Sequence, residues 1–183
     1  MRSGVTTLRA VGAALLAWPR RLGWLPPLAW AALIWFTSSQ SPAPAPRTWG
    51  WRAVAQNFLH APAYGFLALL LLLWLPARKP FEGRRWIEGD KAPRLTIVGL
   101  VLVYGITDEC HQGTTPGRDL SVLDIVTDVV AALCVLWIVD YLSRPEADGR
   151  GLTRRLVIGL ACCLAAALLA SYVPYFLPSV SWV

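Results

Sequence analysis

The sequence predicts an all-α fold, a polytopic membrane helix bundle with about five transmembrane helices, and three observations support it. The 183 residues are 56% apolar and only 15% charged, whereas soluble domains are roughly 45–50% apolar and 25% charged. Five segments are apolar over nearly the 20 residues that a membrane helix needs. Successive loops hold alternately many and few Lys and Arg residues, as in multi-pass membrane proteins. An ordinary soluble enzyme and a disordered chain do not fit these observations.

The five predicted spans are residues 22–39, 53–75, 95–112, 120–139 and 156–173. The third contains an apolar run of only 13 residues, 95–107, which covers ~20 Å of a ~30 Å hydrocarbon core. We therefore expect this helix to continue through Gln112. Residues 5–18 are expected to form a short interfacial helix. The predicted organisation is a cytoplasmic or interfacial segment (1–21), a transmembrane domain (22–175) and a short external tail (176–183).

The distribution of basic residues predicts the orientation. The N-terminal segment, the second loop and the fourth loop hold four, six and four of the 17 Lys and Arg residues. The first loop, the third loop and the C-terminal tail hold two, one and none. The positive-inside rule then places the N-terminus in the cytoplasm and the C-terminus outside. The net charge of +6 is thus explained by topology and by contact with the lipid bilayer, and predicts no nucleic-acid partner.

The acidic residues concentrate near the predicted external side. Five of the 11 acids lie between positions 108 and 128. Asp108 and Glu109 fall at the end of the third span, and Asp124 and Asp128 lie on one face of the fourth, four residues apart. Ionisable groups inside a membrane are costly and usually mark a functional site. The alternative is that these groups only join the helices by hydrogen bonds.

Two further features are expected near these acids. His60 and Tyr64 share a face in the outer half of the second span. Arg118 follows a Pro-Gly turn and is the only base close to the acids. Its planar guanidinium could pair with Asp108 or Asp124, or hold a phosphate or carboxylate. The sequence leaves these roles open.

A metal site receives little support from the sequence. Asp108 and His111 are one helical turn apart and His60 could add a third ligand, but the chain has only two His residues. A two-metal helix-bundle site needs the carboxylate-x-x-His motif twice. The sequence therefore predicts no metal and no cofactor.

One ordered set of residues resembles the VanZ-like family over positions 28–139. The motif is Asp108-Glu109-x-x-Gln112, then Pro116-Gly117-Arg118, Ser121, Asp124 and Asp128, with His60-x-x-x-Tyr64 and Ser38-Ser39-Gln40 upstream. Asn57, Thr114 and Ala131 depart from the residues common in the family. The resemblance implies a bacterial multi-pass protein of the cytoplasmic (inner) membrane. It also implies a role in the cell envelope, since the family is named for a protein associated with teicoplanin resistance.

The predicted function is recognition of a membrane lipid or an envelope-targeting small molecule by its head group. One alternative is a membrane enzyme that uses acid–base chemistry on a phospholipid or polyprenyl phosphate. A structural helix bundle or a small transporter is another, and formation of a homo-oligomer stays open. The candidate catalytic residues are His60, Asp108, Glu109 and Asp124. The candidate ligand-binding residues are Tyr64, Gln112, Arg118, Ser121 and Asp128.

Overall fold

The computed structural model describes residues 3–16, 20–40, 51–75, 92–118, 120–176 and 181–182. This part of the chain contains six α-helices, a 3-10 turn at Arg20–Leu22 and two short strands. The helices are α1 (Ser3–Leu16), α2 (Leu25–Ser38), α3 (Trp51–Trp74), α4 (Ala92–Gln112), α5 (Val122–Leu142) and α6 (Gly149–Phe176). The strands are β1 (Leu120–Ser121) and β2 (Ser181–Trp182).

The all-α prediction is confirmed, and α2 to α6 correspond in order to the five predicted spans. Helix α4 ends at Gln112, as predicted. Within the described ranges, three helices are long and apolar enough to cross a membrane: α3, α5 and α6. Helix α2 is apolar but has 14 residues, or ~21 Å. Helix α4 is long enough but carries Arg94, Asp108 and Glu109 among its 21 residues.

Helix α5 lies at the centre of the bundle and packs against α3, α4 and α6, while α2 packs against α3 and α4. The core between these helices is apolar and includes Ile34, Leu67, Ala68, Leu71, Ile97, Val101, Ala132 and Leu136. Many large apolar side chains instead point outward, among them Leu28, Phe36, Leu59, Leu95, Val103, Leu133, Val157 and Leu160. Soluble monomers rarely expose so much apolar surface, which fits a lipid environment.

One end of the bundle is basic and is covered by α1. Asp140 of α5 forms ion pairs with Arg94 and Arg144. Arg9 of α1 donates from Nε to the carbonyl of Leu142 (2.9 Å) and from its guanidinium to the carbonyl of Arg144. These bonds hold α1 against the C-terminal end of α5, where the carbonyl of Leu142 has no partner within the helix.

The opposite end is polar and brings together five helices. It comprises the last turns of α2 and α4, the first half of α3, the start of α5 and the second half of α6. Gly117, whose φ of 82° favours glycine, turns the chain between α4 and β1. Strand β1 then pairs with β2, with Leu120 opposite Trp182 and Ser121 opposite Ser181. The last described residues are therefore fixed beside the polar end.

Candidate functional site

The polar end encloses a cavity of about 680 Å³, within the size range of small-molecule sites. Seven of the nine candidate residues line it: His60, Tyr64, Asp108, Gln112, Arg118, Ser121 and Asp124. The other two, Glu109 and Asp128, are buried beside it and bond to its lining residues. The structure thus brings together candidate residues that are up to 68 positions apart in the chain.

Asp108 joins three helices through its carboxylate. It accepts hydrogen bonds from Ser38 Oγ of α2 at 2.5 Å, from the Tyr64 hydroxyl of α3 at 3.0 Å, and from Gln112 Nε2 at 3.0 Å. The residue is only 1% exposed. A carboxylate that accepts three hydrogen bonds is well compensated for its burial. The geometry therefore favours a positioning role for Asp108 over the catalytic role that the sequence suggested.

Glu109 fixes the turn that follows α4. Its Oε2 accepts the backbone N–H of Ser121 at 2.8 Å, and its Oε1 accepts from Gln112 Nε2 at 3.3 Å. Ser121 is also the N-cap of α5, where its Oγ accepts the N–H of Asp124 at 3.3 Å. Such caps satisfy one of the free N–H groups at a helix start. Glu109 and Ser121 thereby determine where α5 begins, next to the cavity.

His60 is oriented by Asp128. The Nδ1 atom of His60 lies 3.0 Å from Oδ1 of Asp128, which is completely buried between α4 and α5. The His60 ring also stacks on Tyr64, with 5.9 Å between the ring centroids. A hydrogen bond to one imidazole nitrogen fixes the ring and leaves the other nitrogen for chemistry. This pair is the arrangement in the cavity that most resembles a general base.

Asp124 has a different environment from Asp128, although both lie on one face of α5. Among the described residues, Asp124 Oδ1 is buried without a hydrogen-bond partner, and the residue is 8% exposed. Ligand atoms of His60, Glu109 and Asp124 all lie within 4.8 Å of one another. These three residues come from α3, α4 and α5, and they form the group that could hold a cation.

Arg118 binds neutral acceptors. Its Nε donates to the carbonyl of Gln40 (3.0 Å), Nη1 to Gln112 Oε1 (3.1 Å) and Nη2 to the carbonyl of Thr37 (3.4 Å). The carbonyls at the end of α2 attract a cation because of the helix dipole. No carboxylate in the described part of the chain forms an ion pair with Arg118. Of the roles left open by the sequence, pairing with Asp108 or Asp124 is not observed.

His111 lies away from the cluster that the sequence considered for a metal. Its ring stacks on Trp35 with 3.9 Å between centroids, and Nε2 lies 2.8 Å from Ser39 Oγ. Asp108 is occupied by its three donors. A site of Asp108, His111 and His60 therefore does not form.

Two groups of residues at the site are not predicted from the sequence. Ser38, in the Ser-Ser-Gln stretch, donates to Asp108, although the sequence gives that stretch no role in the site. Asn57 Nδ2 donates to Ser171 Oγ at 3.0 Å, which connects α3 to α6 at the cavity wall. Ser171 lies within a long apolar helix, and no spacing or motif in the sequence indicates its position.

Comparisons of this chain with protein-family models, with curated proteins and with solved structures found no match. The functional interpretation therefore depends on the geometry of the site.

Proposed function

We propose that this chain is a membrane-embedded binding protein whose cavity holds the anionic head group of a lipid or of a drug that acts on the envelope. The single observation that carries the proposal is the state of Arg118. It lines the cavity, its guanidinium is oriented by three neutral acceptors, and no described carboxylate pairs with it. An Arg fork in that state matches phosphate or carboxylate.

The acids in the site do not compete directly for Arg118 because most of their oxygens already accept hydrogen bonds. Asp108 accepts three, Glu109 accepts two, and Asp128 is bonded to His60. Arg118 is therefore the cavity-lining cation left to bind an anionic group. Two acid oxygens, Asp124 Oδ1 and Asp128 Oδ2, are buried without a hydrogen-bond partner among the described residues, and neither forms an ion pair with Arg118. A cavity of this size, lined by both polar and apolar side chains, suits a head group. The apolar tails of a lipid would lie along the exposed faces of the helices.

The membrane arrangement is part of the proposal. All five helices α2 to α6 cross the bacterial cytoplasmic membrane, with α1 on its inner surface and the cavity near the outer leaflet. Support comes from the basic end opposite the cavity, which the positive-inside rule assigns to the cytoplasm. Helix α4 joins the spans because its ionisable residues Asp108 and Glu109 are buried in the bundle, while Leu95 and Val103 face outward.

The resemblance to the VanZ-like family is retained as a proposal. It is consistent with a site built from the motif residues Asp108, Gln112, Arg118 and Asp124, all of which line one cavity. Because that family is named for a protein associated with teicoplanin resistance, the resemblance makes teicoplanin a further proposed ligand. The effect of teicoplanin on bacterial growth is measurable. We expect expression of the protein in a sensitive bacterium to reduce teicoplanin susceptibility, and Arg118→Ala to remove that effect. Unchanged susceptibility on expression of the unaltered chain would reject this extension.

The binding proposal is tested by titrating the purified chain in detergent with two probes that share the same acyl chains. Phosphatidylglycerol carries a phosphate and diacylglycerol does not. Native mass spectrometry should show saturable binding of the first and no specific binding of the second. Arg118→Ala should weaken phosphatidylglycerol binding roughly 10- to 100-fold, because a hydrogen bond to a charged group contributes about 1.5–3 kcal/mol.

Arg52→Ala is the matched control. Arg52 lies in the first turn of α3 at the same end of the bundle, is exposed and does not line the cavity. An exposed charge contributes little, so we expect a change of about twofold or less. Equal losses in Arg118→Ala and Arg52→Ala would indicate general attraction to anionic lipid and would contradict the proposal, as would equal binding of both probes.

A second candidate function is supported by the His60–Asp128 pair. A His oriented by a buried carboxylate is a common general base, so the site could hydrolyse a phospholipid or a polyprenyl phosphate. This candidate predicts product formation by purified protein, measured by mass spectrometry of the lipid, and its loss in His60→Gln. Binding of the lipid without turnover rejects the enzyme and leaves the binding protein.

A further inference from the structure

The group formed by His60, Glu109 and Asp124 is the most distinctive feature that the proposed function does not use. One residue comes from each of α3, α4 and α5. Their ligand atoms lie within 4.8 Å of one another, so small side-chain rotations would bring them around one ion with bonds of about 2.0–2.2 Å. The set contains one imidazole and two carboxylates, which is a mixed donor set of the kind that transition metals prefer.

His60 is already arranged as a metal ligand. Its Nδ1 is bonded to Asp128 at 3.0 Å, and metal-binding His residues usually donate their second N–H to a carboxylate in this way. Because Nδ1 is occupied, Nε2 is the nitrogen left to bind an ion. Asp128 is completely buried, so the bond to His60 is shielded from solvent.

Asp124 provides an independent indication of a ligand. Its Oδ1 is buried and lacks a hydrogen-bond donor among the described residues, although the residue is 8% exposed. Leaving a carboxylate oxygen buried and unpaired costs free energy. Neighbouring Asp108, by contrast, accepts three donors. Asp128 Oδ2 also lacks a donor among the described residues, but Asp128 does not line the cavity, so Asp124 is the unsatisfied acid that faces it. A cation beside Asp124 Oδ1 would remove that cost.

The charge balance also favours a cation. The site contains the four acids Asp108, Glu109, Asp124 and Asp128, and the nearest base, Arg118, is bonded to neutral groups. A divalent ion would reduce the repulsion between the carboxylates of Glu109 and Asp124. It would also make the cavity more favourable for an anion.

We propose that His60, Glu109 and Asp124 form a binding site for a divalent transition-metal ion, with Zn²⁺ as the best match to the donor set. Three protein ligands leave a fourth position open. Since His60 and Asp124 line the cavity, that position faces it. If the proposed head-group function is correct, a phosphate oxygen occupies this position while Arg118 holds the other oxygens. This last link rests on the proposed function, whereas the ion site does not.

The test measures Zn²⁺ binding by the full chain in detergent, without lipid. Metal analysis after equilibration with Zn²⁺ should give about one ion per chain, and a titration should saturate. Glu109→Gln and Asp124→Asn keep the side-chain shape and remove a ligand charge, and each should weaken Zn²⁺ binding at least about tenfold. Asp128→Asn removes the support of His60 and should weaken it roughly 10- to 100-fold.

Asp140→Asn is the matched control, because it neutralises a carboxylate at the opposite, basic end of the bundle. It should bind Zn²⁺ as tightly as the unaltered chain. Binding by the unaltered chain should also raise its unfolding temperature as Zn²⁺ is added, a readout that does not depend on any variant folding. No saturable Zn²⁺ binding by the unaltered chain, or equal losses in Asp140→Asn and Asp124→Asn, would overturn the ion site.

The lipid titration separates the two proposals. Zn²⁺ binding without phosphatidylglycerol binding would reject the head-group function and support the ion site. Phosphatidylglycerol binding that is unchanged when Zn²⁺ is removed with a chelator would reject the bridging phosphate alone. Lipid binding by a chain that does not bind Zn²⁺ would reject the ion site and leave the head-group function.

Discussion

The contact between Gly105 and Asp128 gives a sharp prediction about the support of the site. Gly105 lies in α4, and a methyl group added there would lie 2.8 Å from Oδ2 of Asp128, closer than a carbon and an oxygen normally approach. Asp128 would have to move, and with it the bond to His60. Gly99 lies on the same helix and has no atom within 4 Å of such a methyl group. Gly99→Ala is therefore a control for the helix itself.

The expected magnitudes follow from these two environments. Replacing a helical Gly by Ala stabilises a helix by about 1 kcal/mol, and this gain applies to both variants. Overpacking in a buried contact costs roughly 1–3 kcal/mol, and this cost applies only to Gly105→Ala. Gly105→Ala should thus be less stable than Gly99→Ala by about 1–3 kcal/mol, and by more if the His60–Asp128 bond breaks. Denaturant unfolding in the same detergent measures the free energy of unfolding of both variants. Equal stability of the two variants would refute the packing of Asp128 against α4.

Three further predictions test other parts of the structure. Tyr64→Phe removes the hydroxyl that donates to Asp108 at 3.0 Å and should lower the free energy of unfolding by about 1–2 kcal/mol, measured by the same denaturant titration. The backbone N–H of Gly151, and then the Tyr141 hydroxyl, hold the pKa of Asp148 below its usual 3.8, so its contribution to stability is present at neutral pH and is lost as the pH falls through the folded-state pKa. Asp148→Asn keeps a hydrogen-bond acceptor but does not titrate, so the unfolding temperature of this variant should fall less as the pH is lowered. An equal fall in the variant and the unaltered chain would contradict this contribution of Asp148. Cys110 is exposed and, in a chain without the other cysteines, should react with an impermeant thiol reagent added outside the cell; labelling from the cytoplasmic side alone would reverse the proposed orientation.

The helices were largely predictable because the apolar runs of the sequence indicate where helices lie and how long they are. The apolar run at 95–107 is shorter than a membrane span, which predicted that the helix continues to Gln112, and α4 does end there. The convergence of the acids with His60 and Tyr64 was also expected from topology alone. Consecutive helices run in opposite directions, so the first half of α3, the end of α4 and the start of α5 lie at the same end of the bundle. The boundaries differ by a few residues, since helix ends depend on caps such as Ser121.

The partners within the site were not predictable in the same way. Spacing places Asp124 and Asp128 on one face of α5, but the rotation and depth of α3 and α4 decide that Asp128 meets His60 while Asp124 lies beside the cavity. The sequence left Arg118 with a choice of acids. It binds instead the carbonyls of Thr37, in the last turn of α2, and of Gln40, just after that helix, because the end of α2 lies next to the turn after α4. Such contacts depend on tertiary packing, which no local pattern encodes.

An anion-binding cavity at Arg118 is best tested by identifying the molecules that remain bound when the chain is extracted from its own membrane. Mass spectrometry of the purified protein should find a molecule with an anionic head group at about one per chain. Arg118→Ala should lose it, while Arg52→Ala should retain it. Retention of the same molecules at the same amounts by Arg118→Ala, or the absence of any bound anion from a folded, unaltered chain, would contradict an anion-binding cavity at Arg118.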